Sequence, residues 1–149
     1  MARSQRRDDG VAAWSALLRA HAAVVRRLEQ HLDDTKGLPL SWYDVLLELG
    51  HAPDRRLRMQ ELGERAVLSR TRVSRVVDAL VAAGFVERRP DPGDGRVTYA
   101  VLTPAGRSRM RKAAPAYLQG IDDEFTDRLS PTELEALRTA CERLIPPKH

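Results

Sequence analysis

The sequence predicts a mainly α-helical chain with one small β-hairpin, an α+β fold whose strands are confined to a short central stretch. Three observations predict it. Apolar residues recur at spacings of three and four through most of the 149 residues. Gly, Pro and Ser/Thr capping residues cut that periodicity into helix-sized pieces. One segment alone, residues 85–102, departs from it: FVERR and VTYAVL are short β-like runs on either side of a cluster of turn-formers that includes DPGDGR (91–96).

In chain order, residues 1–10, MARSQRRDDG, lack an apolar run and are expected to form a flexible arm. Its Arg3, Arg6 and Arg7 either touch phosphate or only solubilise the chain. Trp14, Leu17, Leu18, His21, Val24, Val25, Leu28 and Leu32 then share one face of a long helix from Val11 to Leu32, apolar except for His21. Gly37 and Pro39 end it. Ser41-Trp42-Tyr43-Asp44 resembles a capping box opening a second helix, with Val45, Leu46 and Leu49 inward, that closes at Gly50. A short strand is expected at Leu57.

Met59 to Ala66 is predicted as a short helix with Leu62 inward. Ser69 caps the next, Arg70 to Ala83, and Gly84 terminates it. Val73, Val76, Val77, Leu80 and Val81 line its inner face. The outer face carries Thr71, Ser74, Arg75 and Asp78, with Arg72 on the flank. Two helices joined by about four residues, the second arginine-bearing, match a helix-turn-helix, although an ordinary amphipathic pair has the same periodicity. A hairpin directly after them completes a winged helix. Thr103-Pro104 starts a fifth helix with Met110, Ala114, Tyr117, Ile121 and Phe125 on one stripe, and Pro115 is expected to kink it near Ala114. Ser130-Pro131-Thr132-Glu133 is a second capping box. It opens a last helix with Leu134, Leu137, Cys141 and Leu144 inward, stopped by Pro146-Pro147.

Lys+Arg number 25 against 21 Asp+Glu, a formal charge of +4. So small a surplus matters less than its placement. Residues 55–99 hold ten arginines against six acids; residues 117–145 hold three against seven. Arginine suits bidentate phosphate and guanine contacts, although a GC-rich genome produces the same bias. The single cysteine, Cys141, excludes an internal disulfide framework and reads as an inert core residue. His21, His31, His51 and His149 show no close ligand spacing, and no P-loop, dinucleotide fingerprint or nucleophile elbow is present. No metal, cofactor or enzymatic activity is therefore expected. No apolar run reaches membrane-spanning length and no signal peptide is evident, so the expectation is a cytoplasmic protein without a membrane partner. The apolar stripes of both end regions exceed what one chain can cover, which points to a second copy.

Taken together, LSWYDVLLELG (40–50), MQELGERAVLSRTRVSRVVDALVAAGFVERRPDPGDGRVTYAVLTPAGR (59–107) and LSPTELEAL (129–137) resemble the MarR (multiple antibiotic resistance regulator) family of transcription factors. The resemblance covers about residues 11–145. It implies a single domain, 11–149, in which 40–103 form the winged helix-turn-helix DNA-binding lobe and 11–36 with 104–145 form the helical dimerisation region. It also implies a homodimer on double-stranded DNA, with recognition helices in successive major grooves of a pseudo-palindrome and wings in the flanking minor grooves. A repressor released by a small-molecule effector is the expected function.

On this sequence the resemblance assigns DNA contact to Arg70, Thr71, Arg72, Ser74 and Arg75 of the recognition helix, and to Asp94 and Arg96 of the wing. Arg75 reads a base, holds a phosphate or pairs with Asp78. Arg96 enters the minor groove, and Asp94, two residues away, orients its guanidinium. The family more often has a second arginine where Gly95 stands. Effector contacts are assigned to Trp14, His21, Trp42, Tyr43, His51 and Tyr117, all of which also suit plain packing. A ligand-independent architectural DNA-binding protein and a protein-docking winged helix remain the alternatives.

Overall fold

The structure, a computed structural model, describes residues 1–35 and 37–147. Lys36, at the expected end of the first helical region, and His149 lie outside the described residues. In chain order the elements are α1 (Ala2–Asp34), α2 (Leu40–His51), a 3-10 turn (Pro53–Arg55), β1 (Arg56–Arg58), α3 (Met59–Arg65) and α4 (Arg70–Ala82). They continue with β2 (Val86–Pro90), β3 (Thr98–Leu102), α5 (Pro104–Glu124), a 3-10 turn (Thr126–Arg128) and α6 (Pro131–Leu144). This is the mainly α, small-sheet architecture expected. No described helix is long and apolar enough to cross a membrane.

Residues 32–117 form one compact unit. Its core joins Val45, Leu46 and Leu49 of α2 to Leu62 of α3, Val73, Val77 and Leu80 of α4, and Val86 and Ala100 of the sheet. The expected lobe ended at 103, but the unit continues to Tyr117 because Met110, Ala113 and Tyr117 of α5 pack on the same core. α2 lacks the capping box expected at Ser41–Asp44. Pro39 is its N-cap and Ser41 already lies within the first turn, where Trp42 and Tyr43 donate to the Pro39 carbonyl at 3.0 and 3.1 Å. Val81, expected inward, is 39% exposed. At 100° per residue it falls about 90° from the centre of the Val73–Leu80 stripe.

The sheet is antiparallel with order β1-β3-β2, and Arg56–Arg58 face Val101–Tyr99 while Val86–Pro90 face Leu102–Thr98. Where it meets the helices, Thr103 and Gly106 of the LTPAG segment fix the join. The Thr103 hydroxyl donates to the Gly84 carbonyl at 2.7 Å and accepts the Gly106 amide at 3.0 Å, capping α5 while tying it to the end of α4. Gly106 is required by a close approach: a Cβ there would stand 2.1 Å from the Phe85 carbonyl oxygen.

Residues 1–31 with 118–149 form the other unit. Here α1 begins at Ala2, so residues 2–10 are helical, whereas residues 1–10 were expected to form a flexible arm. The composition explains the correction: no proline or β-branched residue precedes Val11, and the Gln5 side chain donates to Asp9 one turn on at 3.0 Å. Arg27 pairs with Glu124 at 2.9 Å. α5 runs through Pro115 without interruption. The Ser130–Glu133 capping box forms in both directions, at 3.1 and 3.0 Å, and the donated bonds hold the Glu133 carboxyl below its ordinary pKa. The inward placement expected along α6 is not realised within one chain. Leu137 and Leu144 are 37% and 72% exposed, and α6 buries no residue. Val11, Trp14 and Leu18 of α1 are exposed too, left uncovered by the described residues. Leu17, Val24, Val25, Phe125, Leu134 and Cys141 line an open apolar groove of about 820 Å³.

Candidate nucleic-acid interface

α3 and α4 are joined by a turn whose every bond can be accounted for. The Leu68 amide returns to the Gly63 carbonyl at 2.9 Å and the Val67 amide to Glu64 at 3.4 Å, a Schellman ending for α3. That ending needs a left-handed residue, and Val67 supplies it at φ 54 although it is β-branched. α4 closes the same way, with Phe85 returning to Leu80 and Gly84 to Val81, but there Gly84 takes the left-handed position at φ 81. Ser69 caps α4 by accepting the Arg72 amide at 3.1 Å, as expected.

The polar side of α4 therefore projects from a helix fixed at both ends. Arg70, Thr71, Arg72 and Arg75 are exposed. Arg70 lines an open cleft of about 810 Å³ together with Arg58, Ser74, Asp78, Arg88 and Arg96. None of the guanidinium groups of Arg70, Arg72, Arg75 and Arg96 enters an ion pair among the described residues. Asp78, an expected alternative partner of Arg75, is taken by Arg88 of β2. Arg88 also donates to the Ser74 carbonyl at 3.2 Å and its hydroxyl at 3.4 Å. Ser74 is half-buried and turned to the sheet, so it faces the cleft less freely than its neighbours.

The wing tip is built from two aspartates. Asp91 Oδ1 accepts the amides of Gly93 and Asp94 at 2.7 and 3.2 Å, and its carboxyl is held below the usual range, first by the Gly93 amide and then by the Tyr99 hydroxyl. Asp94 Oδ1 accepts the backbone amide of Arg96 at 3.0 Å. This corrects the brace expected between Asp94 and the Arg96 guanidinium: an Asx turn satisfies the carboxylate through the chain two residues on. Asp94 presents Arg96 by shaping the loop. Nothing lies within 4 Å of a Cβ added at Gly95.

Arg88 is the residue that sequence reasoning missed. Its partners are ten and fourteen positions away, on an element whose approach no local pattern predicts. Tyr99 was also missed. The Arg56 guanidinium lies 4.8 Å from its ring centroid and that of Arg58 6.0 Å.

Of the residues assigned to an effector, Trp42, Tyr43, His51 and Tyr117 belong to the winged-helix unit. Tyr43 and Tyr117 stack at 4.1 Å. Burial first, then Glu48, pushes the Asp44 carboxyl beside them up to about 6. Trp42 packs against the core and His51 is exposed. In the other unit Trp14 is 61% exposed and His21 lines the α1–α6 groove. Only Tyr43 and Tyr117 are brought into contact.

Known proteins share this arrangement. A family model described as MarR family matches residues 36–97. The HTH-type transcriptional regulator MhqR of Bacillus subtilis is 30% identical over 119 residues, covering 80% of this chain and 79% of its own. AbsC, a MarR family transcriptional regulator from Streptomyces coelicolor, superposes with a TM-score of 0.79 at 29% identity over 92% of both chains. Sco3205, a MarR family transcriptional regulator from the same organism solved in complex with DNA, superposes with a TM-score of 0.78 at 32% identity, covering 91% of this chain and 90% of that one.

Proposed function

The chain belongs to the MarR family of transcriptional regulators, and from that premise we propose that it represses transcription by binding a pseudo-palindromic operator as a homodimer. The observation that carries this reading is the cleft between α4 and the wing, rimmed by Arg70 and Arg96, whose guanidinium groups enter no ion pair among the described residues. Unpaired arginines on a capped helix are poised for phosphate and for guanine O6 and N7. Sco3205, similar in sequence and fold, was solved with DNA. The exposed apolar stripes of α1 and α6 support the homodimer, since a two-fold copy would cover them. The proposal places the protein in the cytoplasm, with the chromosome. It gives the Tyr43–Tyr117 stack, beside Asp44, to a small-molecule effector.

Footprinting on the promoter regions next to its own gene, with a salt titration, tests the reading. The expected result is a protected pseudo-palindrome of about two helical turns. Protection without sequence preference and with a steep salt slope would instead favour an architectural role. No binding at low salt would refute both.

A further inference from the structure

A run of arginines leaves the recognition cleft and continues over the outer face of the sheet. Arg58 is common to both: it lines the cleft with Arg70 and Arg96, and it sits over Tyr99. Arg56 and Arg58 project from the same face of β1 because Leu57 between them is buried. Register places them opposite Val101 and Tyr99 of β3. The ring of Tyr99 thus has a guanidinium at 4.8 Å and another at 6.0 Å; the Arg58 guanidinium is also held by a hydrogen bond to the Tyr99 side chain and feels Asp91 and Glu61, whereas Arg56 lies against the ring without an ion pair among the described residues. Arg55 precedes them in a left-handed conformation, φ 53. The register sets Arg56 opposite Val101, so Arg55 comes alongside the end of β3, two residues before α5 begins and carries Arg107 and Arg111 in its first half. In keeping with that placement, the Arg107 guanidinium is pushed below its ordinary pKa, by partial burial first, then by Arg111 and Arg55.

None of these five arginines enters an ion pair among the described residues. Arg107 is the fourth residue of α5, at the positive end of its dipole, and it shares its surroundings with Arg111 and Arg55, so like charge gathers at this end of the run. An anionic partner would relieve it, and a partner already held at the cleft by Arg58 reaches it without a second binding event.

Resting on the DNA-binding reading above, we propose that Arg55, Arg56, Arg58, Arg107 and Arg111 form a second, sequence-independent contact surface that holds the phosphates of duplex DNA flanking the operator. The occupant is duplex DNA because the surface is continuous with the cleft and complementary in charge to a phosphate backbone. It offers no groove-reading element, so it adds affinity and salt dependence without sequence preference.

The test compares duplexes that share the footprinted operator but carry flanks of zero, about five and about ten base pairs, roughly one helical turn. Binding is followed by fluorescence anisotropy across a salt titration. The wild-type protein is expected to gain about tenfold in affinity with the longest flank at low salt, with a log–log salt slope steeper by about two or more. Arg56→Gln/Arg58→Gln and Arg107→Gln/Arg111→Gln are expected to lose that gain. The second pair lies outside the cleft and should bind the unflanked operator like wild type, with circular dichroism confirming that both variants fold. Equal flank gains in wild type and both variants would overturn the proposal, as would a gain of the same size from single-stranded extensions. Binding to the unflanked operator with no flank gain refutes this surface alone. Failure to bind any duplex refutes the DNA-binding reading as well.

Discussion

At the scale of single residues, Arg75 and Arg96 are two guanidinium groups that enter no ion pair among the described residues. Arg75→Ala is expected to cost about 1–3 kcal/mol of operator binding and relax preference at one base position per half-site. Arg96→Ala should weaken specific binding while light scattering still reports the wild-type assembly. Competition binding against single-base operator variants checks the first, and equal operator affinity for Arg96→Ala would refute the wing assignment. Asp44 makes a different kind of prediction. Its folded pKa, about 6, lies above the ordinary 3.8, so the folded state holds its proton more tightly than the unfolded chain between those values. Stability is lost as pH rises through that window and stays lost above it. Asp44→Asn should therefore be more thermostable than wild type at pH 8, by about 1 kcal/mol because water still reaches the carboxylate, with the advantage vanishing toward pH 4. A melting-temperature difference independent of pH would count against this account. Arg75 was legible in the sequence because helical periodicity alone turns it outward. Arg88 was not, since its bond to Asp78 depends on how a strand returns to a helix.

Among the elements, the two Schellman endings invite direct comparison. The α4 ending uses Gly84, whereas the α3 ending places Val67 at φ 54 with 86% of its surface exposed. A side chain that buries nothing cannot offset the roughly 1–2 kcal/mol cost of left-handed backbone. Val67→Asn should raise stability by about 1 kcal/mol, measured by denaturant unfolding, because Asn tolerates this region. Gly106→Ala should lower it by about 1–3 kcal/mol or more, since the added methyl meets a backbone carbonyl rather than a mobile side chain. Caps that depend on one dihedral and one hydroxyl, at Ser69, Thr103 and Ser130, were legible before the fold was known. The false cap at Ser41 shows the limit of that reading: the pattern is present, but Pro39 starts the helix earlier. The wing was visible as a turn between two strands, while the Asp94 bond to its own chain depends on dihedrals that composition does not encode.

For the whole molecule, apolar periodicity established that α1 and α6 have a face to bury and that a single chain does not supply enough surface to cover it. Leu137 and Leu144 carry the expected stripe outward, and the proposed homodimer is what would cover it. Leu137→Asp should shift the protein toward monomer in analytical ultracentrifugation and weaken operator binding at least tenfold. Each copy loses about 1.5–3 kcal/mol of apolar burial and gains a charge at the contact. A dimer that persists unchanged would place the interface elsewhere. The division of the chain at 31/32 and 117/118, rather than at the ends of the winged helix, was hidden because the stripe along α5 does not reveal which core each of its turns joins.

The sheet has one further consequence, for the behaviour of concentrated solutions. Any open sheet presents unpaired backbone groups along its outermost strands, where another chain can add on. Here one border is β1, only three residues long and carrying Arg56 and Arg58, and the other is β2, which carries Arg88 and Arg89 and ends at Pro90. Brevity and the arginines of β1 discourage strand addition at one border and proline at the other, where Arg88 and Arg89 are paired with Asp78 and Glu87. Two of these defences are chemical, but the electrostatic one fades as ionic strength rises. The salt that loosens the protein from an anionic partner thus also removes part of what keeps its own copies from joining edge to edge.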